Sequence, residues 1–189
     1  MATEVAERKK TSWLLAVLIG RNPKRTLLRI VVLVAACVVV FKFVLIPIRV
    51  HGPSMMPTYQ ESGVNFINRL AYLRSQPKRG DVVGVRLSDT PGPGVPSIML
   101  MKRIVGLPGE TVAFHEGRLL INGNPLDEPY ETNECNWEIA PKQLGPDEYY
   151  VVGDNRTMPE ELHVKGVAHR FQIVGKVLLW RNLFASLVH

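Results

Sequence analysis

At 189 residues the chain has room for one moderate domain with a small added lobe. A composition that is 46% hydrophobic and 21% charged excludes a mostly disordered protein. The net charge of +6 would suit nucleic acid or anionic lipid, and its distribution decides between them.

In chain order, residues 1–29 form a basic segment in which Arg8, Lys9, Lys10, Arg21, Lys24, Arg25 and Arg29 stand against Glu4 and Glu7. This flanks a hydrophobic run and lacks the basic, aromatic-studded face that single-stranded nucleic acid prefers, so lipid is the expected partner and nucleic acid is not. The patch "WLLAVLIG", Trp13 to Gly20, is too short to span a bilayer and reads as an interfacial helix. The run "IVVLVAACVVVFKFVLIPI", Ile30 to Ile48, follows. At about 1.5 Å per residue it makes roughly 28 Å of helix, close to the hydrocarbon thickness of a bilayer. Lys42 can snorkel to the far interface, and Pro47 closes the run. The segment is too long for a cleavable signal peptide and no small-x-small site follows it, which predicts a single transmembrane anchor. Its basic flank predicts a cytoplasmic N-terminus, with everything after Arg49 outside. Cys37 would then lie in the span and Cys135 in the outer part, where the two cannot pair.

Residues 49–180 predict a mainly β domain, followed by a short tail, 181–189. Strand-like runs occur at Val82 to Leu87, Ile98 to Gly106, Thr111 to Gly123, Glu148 to Asp154 and Phe171 to Trp180, separated by Gly, Pro, Asn and Asp. Glu116-Gly117 and Asn122-Gly123-Asn124 read as hairpin turns, and Ser88 to Ser97 as a Pro/Gly connector. Residues 115–147 are more polar and loop-rich, which predicts a smaller β lobe inserted into the main one.

The usual signatures of cofactor chemistry are missing. His51, His115, His163, His169 and His189 show no metal-ligand spacing, there is no Cys-x-x-Cys, and no nucleotide loop or Gly-x-Ser-x-Gly occurs, so no cofactor is expected. Lys102, in "IMLMKRIVG", shares its strand face with the apolar Leu100 and Ile104, while Met101 and Arg103 face the other way. Desolvation there lowers a lysine's pKa, and a neutral amine can take a proton from a serine hydroxyl. The same pattern also suits a strand-edge lysine or a structural ion pair.

Four ordered segments then carry a resemblance: "GPSMMPT" at 52–58, "RGDVVGVR" at 79–86, "MKRIVGLPGE" at 101–110 and "VGDNR" at 152–156. Together, behind an anchor, they resemble the type I signal peptidases, membrane-anchored serine proteases of the S26 class with a Ser/Lys dyad. The resemblance implies that Ser54 is the nucleophile, Lys102 its general base, the Ser54 backbone N–H the oxyanion donor, and Met55 a residue that helps line the substrate site. It implies that Arg103 and Asp154 pair as structural support, with Asn155 beside them. The implied substrates are signal peptides of secreted preproteins, met beside the bilayer and the secretion machinery. Glu4 and Glu7 favour a bacterial cytoplasmic membrane over an organellar one, because transit peptides are poor in acids. A specialised maturation peptidase and an inactive peptide-binding homologue are the alternatives.

Two departures accompany the match. Gly52 stands where many family members have a serine that supplements the oxyanion hole. After "GDNR" the chain reads "TMPEELH", so Pro159 occupies the place of a lysine-orienting serine, Glu161 that of an aspartate and His163 that of an arginine. Thr157 is a candidate substitute hydroxyl.

Overall fold

The computed structural model describes residues 22–49, 52–61, 63–87, 99–130 and 135–178. The expected interfacial helix at Trp13 to Gly20, most of the basic segment, the Ser88 to Ser97 connector and the tail at 181–189 lie outside the described residues. The chain divides into two units, Met1–Phe43 and Val44–His189.

The first unit contains helix α1, Pro23–Val39, which runs on through a π-helical turn at Val40–Val44. The continuous helix from Lys24 to Val44 is long and apolar enough to cross a membrane, and none of it is buried. It starts earlier than the expected Ile30, because Pro23 can occupy the first helical turn, where a missing N–H costs nothing. It also ends earlier than the expected Ile48. Leu45–Arg49 is a strand, β1, and Pro47 within it is tolerated because β1 lies at a sheet edge.

The second unit is mainly β, built of two antiparallel sheets. After β1 come β2 (Val64–Asn68), β3 (Val82–Arg86) and β4 (Met99–Gly106). These are followed by β5 (Thr111–His115), β6 (Arg118–Ile121), β7 (Asn124–Pro125) and β8 (Ile139–Gln143). The last three are β9 (Glu148–Val152), β10 (Gly166–His169) and β11 (Ile173–Leu178). The larger sheet has the order β1-β2-β11-β3-β4-β9-β10 and the smaller one β7-β6-β5-β8. The smaller sheet begins at Thr111 and ends at Gln143, whereas composition put the lobe at 115–147. Polarity marks the loops of this lobe, but Val112 and Phe114 of its first strand are buried and read as core.

Alternation along the central strands places side chains in three apolar clusters. Ile48, Met55, Tyr59, Ile67, Val82, Met101 and Val177 form one, and Val83, Val85, Ile104, Tyr149, Val151, Ala168 and Ile173 another. The third, with Val105, Val112, Phe114, Leu119, Trp137, Leu144, Tyr150 and Val152, joins the two sheets. From Met101 to Gly106 every residue of β4 is buried, as a strand covered on both faces requires. The β4–β9 ladder opposes Arg103 to Val152, the last residue of β9. Lys102 therefore stands one residue past the end of that ladder, where the chain after β9 can turn away and admit another segment.

Candidate active site

The segment admitted there carries Ser54. It lies in a single 3-10 turn, Pro53–Met55, entered through Gly52. The φ of Gly52 is +84°, a conformation that glycine adopts without strain and a serine would not, which accounts for the first departure on backbone grounds. Met55 plugs the turn into the core at 1% exposure, beside Met101 and Val82. The neighbouring Met56, at 40%, is the exposed member of the pair. Met55 thus anchors the serine from below, in addition to the substrate-lining place that the motif suggests.

Lys102 Nζ lies 2.9 Å from Ser54 Oγ, in hydrogen-bonding contact. The lysine is 3% exposed. Burial pushes its pKa down from 10.5 to about 8, with the Asp154 carboxylate acting in the opposite sense. Near neutral pH a reachable fraction of the amine is therefore unprotonated, and in that form the serine hydroxyl donates to the nitrogen. Among the described residues, Ser54 Oγ is the hydrogen-bond partner that Lys102 has.

Supporting groups converge on this pair. Arg103 Nε donates to Asp154 Oδ1 at 2.7 Å and Nη2 donates to Oδ2 at 2.5 Å, while Nη1 donates to the Gly80 carbonyl at 2.8 Å. Asp154 is fully buried, and the Tyr130 ring covers the guanidinium at 3.8 Å. The pair fixes the turn after β9 to the strand that carries Lys102. Asn155 holds the serine segment directly: its backbone N–H donates to the Ser54 carbonyl at 3.0 Å, and Nδ2 donates to the Pro53 carbonyl at 3.1 Å. The Thr157 hydroxyl donates to Asn155 Oδ1 at 2.6 Å, so its contact is with Asn155 and not with the lysine. Pro159 precedes a short turn, Glu160–Leu162, and Glu161 is exposed.

Several further residues support the site, and the sequence left their contacts unread. Arg156 is fully buried and its guanidinium forks onto Glu128, with Nη2 2.7 Å and Nη1 3.1 Å from the two carboxylate oxygens. Trp137 comes from the second lobe and donates through Nε1 to the Met158 carbonyl at 2.9 Å. His163 is 3% exposed and its Nε2 accepts the Gly153 N–H at 2.8 Å. The need for an acid beside a buried arginine is the one clue that could have pointed toward Glu128. Among the described residues, no group of three or more His, Cys, Asp and Glu could hold a metal ion. The arrangement can activate a hydroxyl for attack on an acyl group.

The family model described as "Signal peptidase, peptidase S26" matches residues 24–180. Signal peptidase I of Leptolyngbya laminosa is 33% identical over 132 residues, covering 69% of this chain and 65% of that protein. Probable signal peptidase I-2 of Synechocystis sp. is 31% identical over 69% of this chain, which spans 60% of its length. Signal peptidase I P of Bacillus subtilis subsp. natto is 33% identical over 67% of this chain and 70% of its own. With a match over most of its length and the Ser54–Lys102 contact in place, the chain belongs to the signal peptidase family, peptidase S26.

Proposed function

We propose that this protein is a membrane-anchored serine endopeptidase that removes N-terminal signal peptides from exported preproteins. The observation that carries the reading is a buried lysine, with its pKa lowered to about 8, whose amine lies 2.9 Å from the hydroxyl of Ser54. Neutral Lys102 takes the Ser54 proton as Oγ bonds to the scissile carbonyl carbon, and the carbonyl oxygen becomes an oxyanion held by the Ser54 backbone N–H. The C–N bond then breaks, and the ammonium of Lys102 returns that proton to the leaving amine. Water next attacks the ester, giving its proton to Lys102. The C–Oγ bond breaks and Oγ takes the proton back. Asn155, Asp154 and Arg103 hold the two partners in register.

The substrate follows from the names of the relatives and from the order of the chain, in which the apolar helix directly precedes the β unit. A basic flank before α1 favours a cytoplasmic N-terminus and an outward β unit, where a signal peptide leaving the bilayer is within reach. Lipid and the secretion machinery are the partners of such a topology, and a bacterial cytoplasmic membrane its place.

The deciding experiment gives the full-length protein, in detergent, a preprotein with a small-x-small cleavage site. Wild type is expected to release the signal peptide, and Ser54→Ala and Lys102→Ala each to lower kcat by about 10³-fold or more, as loss of a nucleophile or its base does. Cleavage that neither substitution touches overturns the dyad.

A further inference from the structure

Between the dyad and the second sheet lies a buried, titratable ring that the peptide-cleaving steps do not use. His163 Nε2 accepts the Gly153 N–H at 2.8 Å, so the ring's proton resides on the buried Nδ1. Trp137 stands edge-on to the ring at 4.7 Å between centroids. On its other flank the ring meets Gly153, which packs against the nucleophile segment. A Cβ placed on Gly153 would lie 2.1 Å from the Ser54 carbonyl oxygen and 2.7 Å from His163 Nε2, so the glycine packs against both and leaves no room for a side chain there. Two residues on, Asn155 grips the carbonyls of Ser54 and Pro53. The order of contact is therefore Trp137, His163, Gly153, Ser54.

The chemistry of this place calls for a neutral acceptor. Burial first, then the charges of Lys102, Arg156 and Lys165, push the His163 pKa down to about 3, with the backbone of Asn155 acting the other way. An arginine, which the resemblance leads one to expect at 163, has only N–H donors and could not receive the Gly153 amide. The support of the site in this chain accordingly differs from that pattern.

We propose that His163 is a positioning residue for the cleavage reaction: its imidazole, wedged against Trp137, accepts the Gly153 amide and so fixes the Gly153–Asn155 turn that sets Ser54 against Lys102. The proposal rests on the peptidase reading above. It is tested with full-length protein and the same preprotein, reading kcat and KM separately and counting only folded molecules by circular dichroism. His163→Leu keeps an apolar body but removes the acceptor, and is expected to lower kcat by about 10- to 100-fold with KM little changed, the cost of a small misplacement of reacting groups. His163→Gln can place an amide oxygen where Nε2 stands and is expected to recover most of kcat. Combining His163→Leu with Asn155→Ala should cost no more than the worse single change, because both loosen the same turn.

Wild-type kcat in His163→Leu overturns the proposal. So does a Gln variant that loses as much as Leu at an unchanged melting temperature, or additive losses in the double variant. Should the Leu variant not fold, His163→Asn takes its place, its amide being one methylene too short to reach Gly153, and low kcat in Asn beside high kcat in Gln is then the expected result. Failure of the peptidase reading shows separately, as cleavage that persists in Ser54→Ala and Lys102→Ala.

Discussion

Burying Lys102 lowers the protein's stability wherever the folded amine is charged. In the unfolded chain a lysine keeps its proton to about pH 10.5, whereas in the folded protein Lys102 releases it near pH 8. Below pH 8 both states are protonated and the folded one carries the cost of burying the charge. Between about pH 8 and 10.5 the unfolded state binds more protons, so stability rises with pH. Lys102→Met should therefore make the protein more stable at pH 7, by up to about 3 kcal/mol if each pKa step is worth about 1.4 kcal/mol. That advantage should close as the pH rises past 10, which urea unfolding across a pH series measures. For the wild type, kcat/KM should climb through a midpoint near pH 8 as the amine loses its proton. Ser54 and Lys102 were both legible in the sequence: one sits in a distinctive short motif, and the other is a charge on an apolar strand face. His163 was not. Its position suggested only a replaced arginine, and nothing in "EELH" tells that the ring is buried against Trp137, because that contact joins two loops 26 positions apart in the chain.

Among the elements, the turn after β9 is the hub, and the second lobe braces it from outside. Glu128 and Trp137 reach from that lobe to Arg156, Met158 and His163, so a lobe that supplies none of the proposed chemistry still holds the segment that aligns it. Glu128 is 4% and Arg156 0% exposed in their side chains. Removing the carboxylate charge leaves a buried guanidinium uncompensated, so Glu128→Gln should cost about 3–5 kcal/mol of unfolding free energy, measured by urea titration. The strands that frame the site, β4 and β9 with β3 beside them, were readable because they are long or strongly apolar. β2, β8 and β10 were not. "VNFIN" carries two asparagines, "IAPKQ" is mostly exposed and contains a proline, and "GVAH" is short, so in each the tertiary pairing overrides a weak local preference. The hairpins were legible because Gly117, Asn122 and Gly123 take positive φ, the conformation their residue types announced, and Glu116 takes it beside Gly117.

Across the whole molecule, the three apolar clusters all draw on residues between Ile46 and Val177 and none on α1. A fragment of residues 44–189 should therefore fold without the helix, with the strand-rich circular dichroism of the full protein, and still cleave a soluble peptide bearing a small-x-small site. It should fail to float with phosphatidylglycerol-containing vesicles that carry the full-length chain. Flotation of the fragment would relocate the lipid contact to the β unit. The apolar helix's general place was legible because apolar length is a strong signal, but its end was not, since Leu45 to Ile48 is as apolar as the helix before it. Pro47 marks the change of structure, and it does something more at the rim of the larger sheet. Under the proposed membrane anchoring, the chain is confined to two dimensions, where copies meet far more often than in free solution. An edge strand with a proline in it, and the charge of Arg49 at its end, offers a poor template to the strand of another copy. The proline just past the helix would thus also guard a membrane-bound chain against edge-to-edge aggregation.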